Sequence, residues 1–266
     1  MNLFAFELKR RRIAIFWWVL GLSALQLFML SFFPLMAKEQ GMMDLILQYY
    51  PKEMLAAFGL ANATSLGDLS GYLIFSFIFA QVALAIYASM EGFTVLSLEE
   101  TENFADFLLT RPVSRTRIFV IKYGSCLLAN SILALAVIAS TMIGIFYFGE
   151  GATITRNILI LFASLLPLQL LFFASAMAIT QTMKTVRSPL TLSMGLGFGM
   201  YMLYAMRGAL DSEGLRYLNY FSYLDISRIL QNEGIEPAFI LLTILIVFGA
   251  SGFSYVRYLH RNIVSK

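Results

Sequence analysis

The sequence predicts an all-α membrane protein, and three observations carry that expectation. Of its 266 residues 59% are hydrophobic and 13% charged, where a soluble domain carries roughly a quarter charged. The apolar residues gather in six runs with few or no charges: Ile13–Phe33, Gly71–Met90, Tyr123–Phe148, Asn157–Met183, Ser188–Met206 and Pro237–Val256. Each run is near the roughly 20 residues that cross a hydrocarbon core as helix. None alternates polar and apolar positions as the shorter strands of a membrane barrel do. Backbone amides in hydrocarbon must then find partners within each run, which makes the runs helices.

The elements follow in order. Met1–Arg12 is apolar and basic, with Lys9, Arg10, Arg11 and Arg12 in a row. It is expected as a helix on the membrane surface, with Phe4 and Leu8 one turn apart facing lipid. Ile13–Phe33 exceeds the roughly 7–15 apolar residues of a signal peptide and reads as a retained first span. In the loop Pro34–Ser70, Pro51 is placed to open a short helix through Phe58.

Between the second and third runs lies EETENFADFLLTRPVSR, Glu99 to Arg115. Thr101 can cap a short helix whose Phe104, Phe107 and Leu108 share one face. Glu100, Glu102 and Asp106 supply negative charge near its start, where the helix dipole favours it. Pro112 ends it, and Ser114 can cap a second helix carrying Arg115, Arg117 and Lys122 into the third span. After the fifth span, Arg207–Glu236 holds Tyr217, Tyr220, Phe221 and Tyr223, an aromatic set suited to the headgroup zone. No repeat or linker interrupts the chain, so residues 1–266 are expected to form one transmembrane domain.

Orientation follows from Lys and Arg. An inside N-terminus puts Lys9, Arg10, Arg11, Arg12, Arg111, Arg115, Arg117, Lys122, Lys184, Arg187, Arg257, Arg261 and Lys266 on one side. Lys38, Lys52, Arg156, Arg207, Arg216 and Arg228 fall on the other. Cytoplasmic flanks carry the excess of positive charge, so both termini are expected in the cytoplasm.

Chemistry is sparse. Net charge is +3 and no basic block lies outside the membrane flanks, which sets nucleic acid aside. Cys126 is the one cysteine, a small packing residue with no partner for an internal disulfide. His260 is the one histidine, too little for a histidine-rich metal site or a hydrolase triad. No glycine is followed by lysine, so the chain lacks the phosphate-cradling loop of a nucleotide site. No catalytic residue and no metal ligand are expected. Gln26, Gln81, Asn130, Gln169 and Gln181 are costly in lipid and either bond between helices or line a route. No span carries an acid near its middle; Glu91, at the inner end of the second, comes nearest. This argues against proton coupling. Gly195 and Gly199 form a GxxxG pair, for packing within the chain or at a dimer seam. On pattern alone the Glu99–Arg115 segment is either an interfacial connector or the handle by which a soluble motor grips the protein.

That segment resembles the signature of permease subunits of type-2 ABC exporters, on Glu99, Glu100, Asp106, Leu108, Leu109, Pro112, Val113, Ser114, Arg115 and Lys122. It departs at Asn103 and Phe104, where the family usually shows Gly and Thr. The six spans, the N-terminal surface helix and YLNYFSYLDISRIL (Tyr217–Leu230) fit the same family. The resemblance implies a coupling helix seated in a groove of an ATP-binding subunit, with Glu99, Glu100, Glu102, Asp106, Arg111, Pro112 and Arg115 in contact. It implies two ABC ATPase subunits holding ATP and Mg, a second permease (identical or homologous), and no cofactor or enzyme activity in this chain. Spans two and five border the substrate path in the family, which points to Gln81, Tyr87, Tyr201 and Tyr204. Tyr217, Tyr220, Phe221 and Tyr223 would form the outer gate. The setting implied is a bacterial cytoplasmic membrane. The alternatives are a stand-alone secondary transporter or channel, which needs a coupling-ion site, and a membrane enzyme or assembly scaffold.

Overall fold

A computed structural model describes residues 3–51, 54–55, 60, 65–96, 114–183, 185–210, 213–231 and 234–260. Among these no strand occurs. The helices are α1 (Leu3–Ser31), α2 (Phe33–Lys38), α3 (Gln40–Tyr49), α4 (Leu69–Val95), α5 (Arg115–Phe148), α6 (Arg156–Thr182), α7 (Pro189–Leu210), α8 (Glu213–Leu218), α9 (Tyr220–Tyr223), α10 (Ile226–Leu230) and α11 (Pro237–His260).

Among the described residues, five helical stretches are long and apolar enough to cross a membrane: Leu3–Lys38, Leu69–Val95, Arg115–Phe148, Arg156–Thr182 and Pro237–His260. The sixth run of the sequence forms α7, a 22-residue helix. Its glycines, tyrosines and Arg207 dilute its apolar content, so it does not join those five. The N-terminal surface helix is also corrected. Residues from Leu3 onward belong to one unbroken 29-residue α1, about 43 Å long at helical rise. Its first turns prolong the span instead of lying apart from it. Lysine and arginine are good helix formers, so a basic cluster does not break a helix. The charged stretch 97–113, with its expected coupling helix, lies outside the described residues, as do residues 52–53 and 56–58 of the helix expected after Pro51.

Ends of helices are set by short polar side chains. Asp68 accepts from the Gly71 amide at 3.4 Å to open α4, and Ser114 accepts from the Arg117 amide at 3.3 Å to open α5, the cap expected from the sequence. These caps satisfy amides that the helix itself leaves unpaired.

The packing is antiparallel and parallel by turns. α1 and α5 run side by side in the same direction, with Phe4 beside Gly124 and Leu30 against Gly144. α4 runs against α1: Glu91 meets Arg11 at one end, and the Tyr72 hydroxyl donates to the Met29 carbonyl at the other. α6 is parallel to α4, with Phe77 and Phe162 rings 6.1 Å apart and Gly92 on Ala176. α7 crosses α4 where Gly197 meets Ile86. α11 returns beside α5, through Tyr123–Ser251 at 3.2 Å and Thr116–Tyr255 at 3.0 Å. The topology therefore gathers Arg10, Arg11, Arg12, Arg115, Arg117, Lys122 and Arg257 at one end of the bundle. Arg156, Arg216 and Arg228 fall at the opposite end, which is the partition the charge count anticipates.

The GxxxG question also gains an answer within the chain. A methyl group at Gly195 or Gly199 would meet nothing within 4 Å, so neither glycine packs inside this fold. Gly195→Ala and Gly199→Ala are expected to leave the melting temperature of the detergent-solubilised monomer unchanged or raised, since alanine is the better helix former by up to about 1 kcal/mol. A lowered melting temperature would show that this face is packed.

Candidate functional site

The interior of the bundle is filled from one end by the segment between α8 and α11. Asn219 opens α9, its side-chain oxygen accepting from the Phe221 amide at 2.9 Å while its amide donates to the Met200 carbonyl at 2.6 Å. Asp225 opens α10, accepting from the Ser227 amide at 3.0 Å and the Arg228 amide at 3.5 Å. Backbone that enters an apolar interior must have its polar groups satisfied, and these two caps, with α9 and α10, supply much of that. Phe221, Ser222, Tyr223, Leu224, Ile226, Ser227 and Ile229 are all buried.

Polar side chains of the surrounding helices hold the segment. Gln81 Nε2 of α4 donates to the Leu224 carbonyl at 3.5 Å. Asn157 Nδ2 of α6 donates to the Leu230 carbonyl at 3.2 Å. The Tyr220 and Ser175 hydroxyls are 2.8 Å apart, and Ser175 is about 28 Å along α6 from its first residue. The chain thus dips well into the bundle. Aromatic rings complete the contact. Phe221 lies 5.3 Å from Phe172, 6.2 Å from Tyr201 and 6.3 Å from Tyr204, and Tyr223 stacks on Phe239 at 5.0 Å. At the mouth, Glu236 takes both Arg216 and Arg228, and the Arg216 guanidinium sits 4.7 Å over the Phe239 ring.

This corrects the expected headgroup belt. Only Tyr217, 55% exposed, has the surface position such a belt needs. Phe221 and Tyr223 are inside, and Tyr220 turns its hydroxyl inward. Of the residues assigned to the substrate path, the structure brings Gln81, Tyr201 and Tyr204 together around Phe221 and Leu224. Tyr87 stands apart, buried and edge-on to Trp18 of α1 at 5.4 Å.

The interior amides divide. Gln81 bonds across to another element, and Asn130 Nδ2 donates within its own helix to the Cys126 carbonyl at 2.9 Å. Gln26, Gln169 and Gln181 are buried, and among the described residues neither amide atom of any of the three has a side-chain or backbone partner. The Tyr87 hydroxyl is likewise unpartnered. Buried amides left this way are unusual in a packed core.

A second polar group lies at the basic end, and sequence reasoning missed most of it. Glu7, Arg11, Glu91 and Lys122 are all buried. Arg11 reaches Glu91 with one guanidinium nitrogen and stands 3.9 Å from Glu7 with another. Arg10 pairs with Glu7 at 3.2 Å, and Lys122 Nζ donates to the Val95 carbonyl at 3.4 Å. Glu7, Arg11, Leu22, Gln26 and Leu30 are the buried residues of α1 and recur at helical spacing. That stripe was a readable signal; the four-residue basic run obscured it.

Of the residues assigned to motor contact, Glu99, Glu100, Glu102, Asp106, Arg111 and Pro112 lie outside the described residues. Arg115 opens α5, and its guanidinium donates to the Leu259 carbonyl of α11 at 3.2 Å. His260 is exposed, with Nδ1 2.8 Å from the Val256 carbonyl oxygen. Among the described residues no group of three His, Cys, Asp or Glu could hold a metal ion.

Long apolar helices around a polar and aromatic interior, filled from one end by a dipping segment, define a multi-pass membrane protein of the permease class. The chain belongs to the family described as "Multidrug efflux system permease Rv1217c, C-terminal domain", whose model matches residues 2–257. No curated protein and no solved structure matches it.

Proposed function

We propose that this chain is the membrane-spanning subunit of an ATP-binding-cassette exporter, driven by a separate ATPase. The observation that carries the reading is the Glu99–Arg115 string, positioned between α4 and α5 of a chain that belongs to an efflux permease family. ATP and Mg are then held by the partner, in keeping with a sequence in which no glycine is followed by lysine. In this reading α7 is the sixth span, both termini are cytoplasmic, and the membrane is the bacterial cytoplasmic one. The whole chain is one permease domain without cofactor or enzyme activity. Two ATPases and a second permease, identical or homologous, complete the assembly.

The mechanism follows from the links. Closure of the ATPases pushes the 97–113 segment, with Glu99, Glu100, Glu102, Asp106, Arg111 and Pro112 in the groove. The push enters α4 at Val95 and α5 at Arg115. α4 carries Gln81, which holds Leu224, so a shift of α4 disturbs the dipping segment. Tyr217, Tyr220, Phe221 and Tyr223 then open the outer mouth to a cargo moving past Gln81, Tyr87, Tyr201 and Tyr204. The unpartnered amides of Gln169 and Gln181 suit an amphipathic cargo with polar groups, in keeping with the efflux family. A stand-alone secondary transporter is less well supported, because Glu91, the carboxylate nearest to an ion site, is engaged by Arg11.

The test is co-purification of an ATPase encoded beside this chain, captured through a tag on this chain. Wild type should retain it, and Glu102→Arg combined with Asp106→Arg should lower retention about tenfold or more, as loss of interfacial charge complementarity does. Arg115 is left unchanged because it also ties α5 to α11. No retention by wild type, or full retention by the variant, overturns the reading.

A further inference from the structure

We infer that Arg11 clasps α1 to the last turns of α4, so that α1 is carried along when the segment after α4 is moved. The inference rests on the exporter reading and adds to it a transmission element outside the segment itself.

α1 packs mainly along α5. Its ties to α4 include the Tyr72–Met29 hydrogen bond at one end, the Trp18–Tyr87 ring contact in the middle, and the Arg11–Glu91 ion pair at the basic end. Glu91 is one turn before Val95, where α4 ends. The Val95 carbonyl is itself held by Lys122 of α5. The exit of α4 therefore receives two cations, Arg11 from α1 and Lys122 from α5, while its other side packs on α6. On the far side of the segment, Arg115 ties the start of α5 to the Leu259 carbonyl of α11. Three cations thus bracket both ends of residues 97–113 and link them to α1, α5 and α11.

The charges are arranged for register. Arg11 stands between two buried carboxylates, Glu7 on its own helix and Glu91 across the interface. Apolar side chains of similar size could hold two helices together as well, since burying ions costs solvation that their attraction barely returns. What the guanidinium adds is direction: with Glu91 on one nitrogen and Glu7 3.9 Å from the other, it favours one geometry and resists sliding of one helix along the other. Resistance to sliding is what a push along α4 requires if α1 is to follow.

The test uses the full chain with its co-expressed ATPase, Cys126→Ala, and spin labels at Arg12→Cys on α1 and Leu190→Cys on α7, both exposed positions. Pulsed EPR with ATP and vanadate should show the α1–α7 distance shift. Glu91→Gln should retain the ATPase as wild type does yet lose more than half of that shift, and the exchange Arg11→Glu with Glu91→Arg should restore it. A purely structural ion pair would lower protein yield and ATPase retention together and leave the shift intact in the protein that remains. If Glu91→Gln does not accumulate, Arg11→Lys, which keeps the charge and loses the fork, is read in its place with the same expectation. A full shift in the variant, or no shift in wild type, with the ATPase retained in either case, overturns the clasp and leaves the exporter reading standing. A wild type that retains no ATPase overturns both.

Discussion

Gly92→Leu is expected to abolish the native bundle. A Cβ at this position would fall on the Phe173 carbonyl oxygen and lie 2.8 Å from the Ala176 Cβ, with the Met177 amide nitrogen at 3.0 Å. Two of those three atoms are backbone of α6, so no rotamer change relieves the clash. α4 and α6 form the centre of the fold, and Gly92 lies one turn from where α4 ends. Close approach of backbones through small residues is a main source of helix association in lipid, where hydrophobic transfer between helices is largely absent. Forcing extra atoms into a packed core costs about 1–3 kcal/mol when neighbours can adjust; with backbone on the other side the cost should reach the upper end or exceed it. The measurement is the melting temperature and the monodisperse yield in detergent. Gly197→Ala is the internal comparison. Its added methyl would meet the Ile86 Cγ1 at 2.7 Å, a side-chain atom, with the Ile86 backbone no nearer than 3.5 Å, and should be milder. A Gly92→Leu protein that melts as wild type would show that α4 and α6 do not meet here.

The difference between these glycines was not legible in the sequence, while the spans that carry them were. Long uncharged runs admit one solution in hydrocarbon, so the boundaries of the second, fourth and last spans are recovered within a few residues by α4, α6 and α11. The unequal Lys and Arg distribution is legible for the same reason, and among the described residues the topology gathers predicted inner ones such as Arg11, Arg115 and Arg257 at one end. Which face of a helix meets which neighbour depends on tertiary packing that spacing alone does not encode. Gly195 and Gly199 have the better motif, yet they face open space while Gly92 and Gly197 make the close approaches. Arg11 was hidden by its own neighbours: in a run of four cations only the helical spacing to Glu7 and Leu22 marks the one that turns inward. The aromatic loop misled in a different way. Tyrosines near a span end suit both the headgroup zone and a bundle interior. The caps Asn219 and Asp225 were the residues that could have separated the two, since each lets a short helix begin inside an apolar environment.

Phe221→Ala is expected to be the most damaging substitution in that dipping segment, and it discriminates between a gate and a mere filler. Phe221 is 1% exposed and contacts three rings from the walls, Phe172, Tyr201 and Tyr204. Truncating a buried phenylalanine costs roughly 3–5 kcal/mol in soluble cores. Part of that is transfer out of water, which a bilayer does not supply, so a loss of about 3 kcal/mol from cavity and contacts is the expectation here. Tyr217, in α8 just before the segment and 55% exposed, provides the control: Tyr217→Ala should leave stability within about 0.5 kcal/mol. Phe221→Leu should recover most of the stability of Phe221→Ala by refilling the space, without restoring the aromatic contacts. If the segment gates the interior, Phe221→Leu folds yet admits a membrane-impermeant thiol reagent to a cysteine introduced at Gln81 in the Cys126→Ala background, where the wild-type segment shields it. If the segment only fills space, labelling at that cysteine stays as low in Phe221→Leu as with phenylalanine in place, and the outer-gate role of Phe221 and Tyr223 falls while the fold stands.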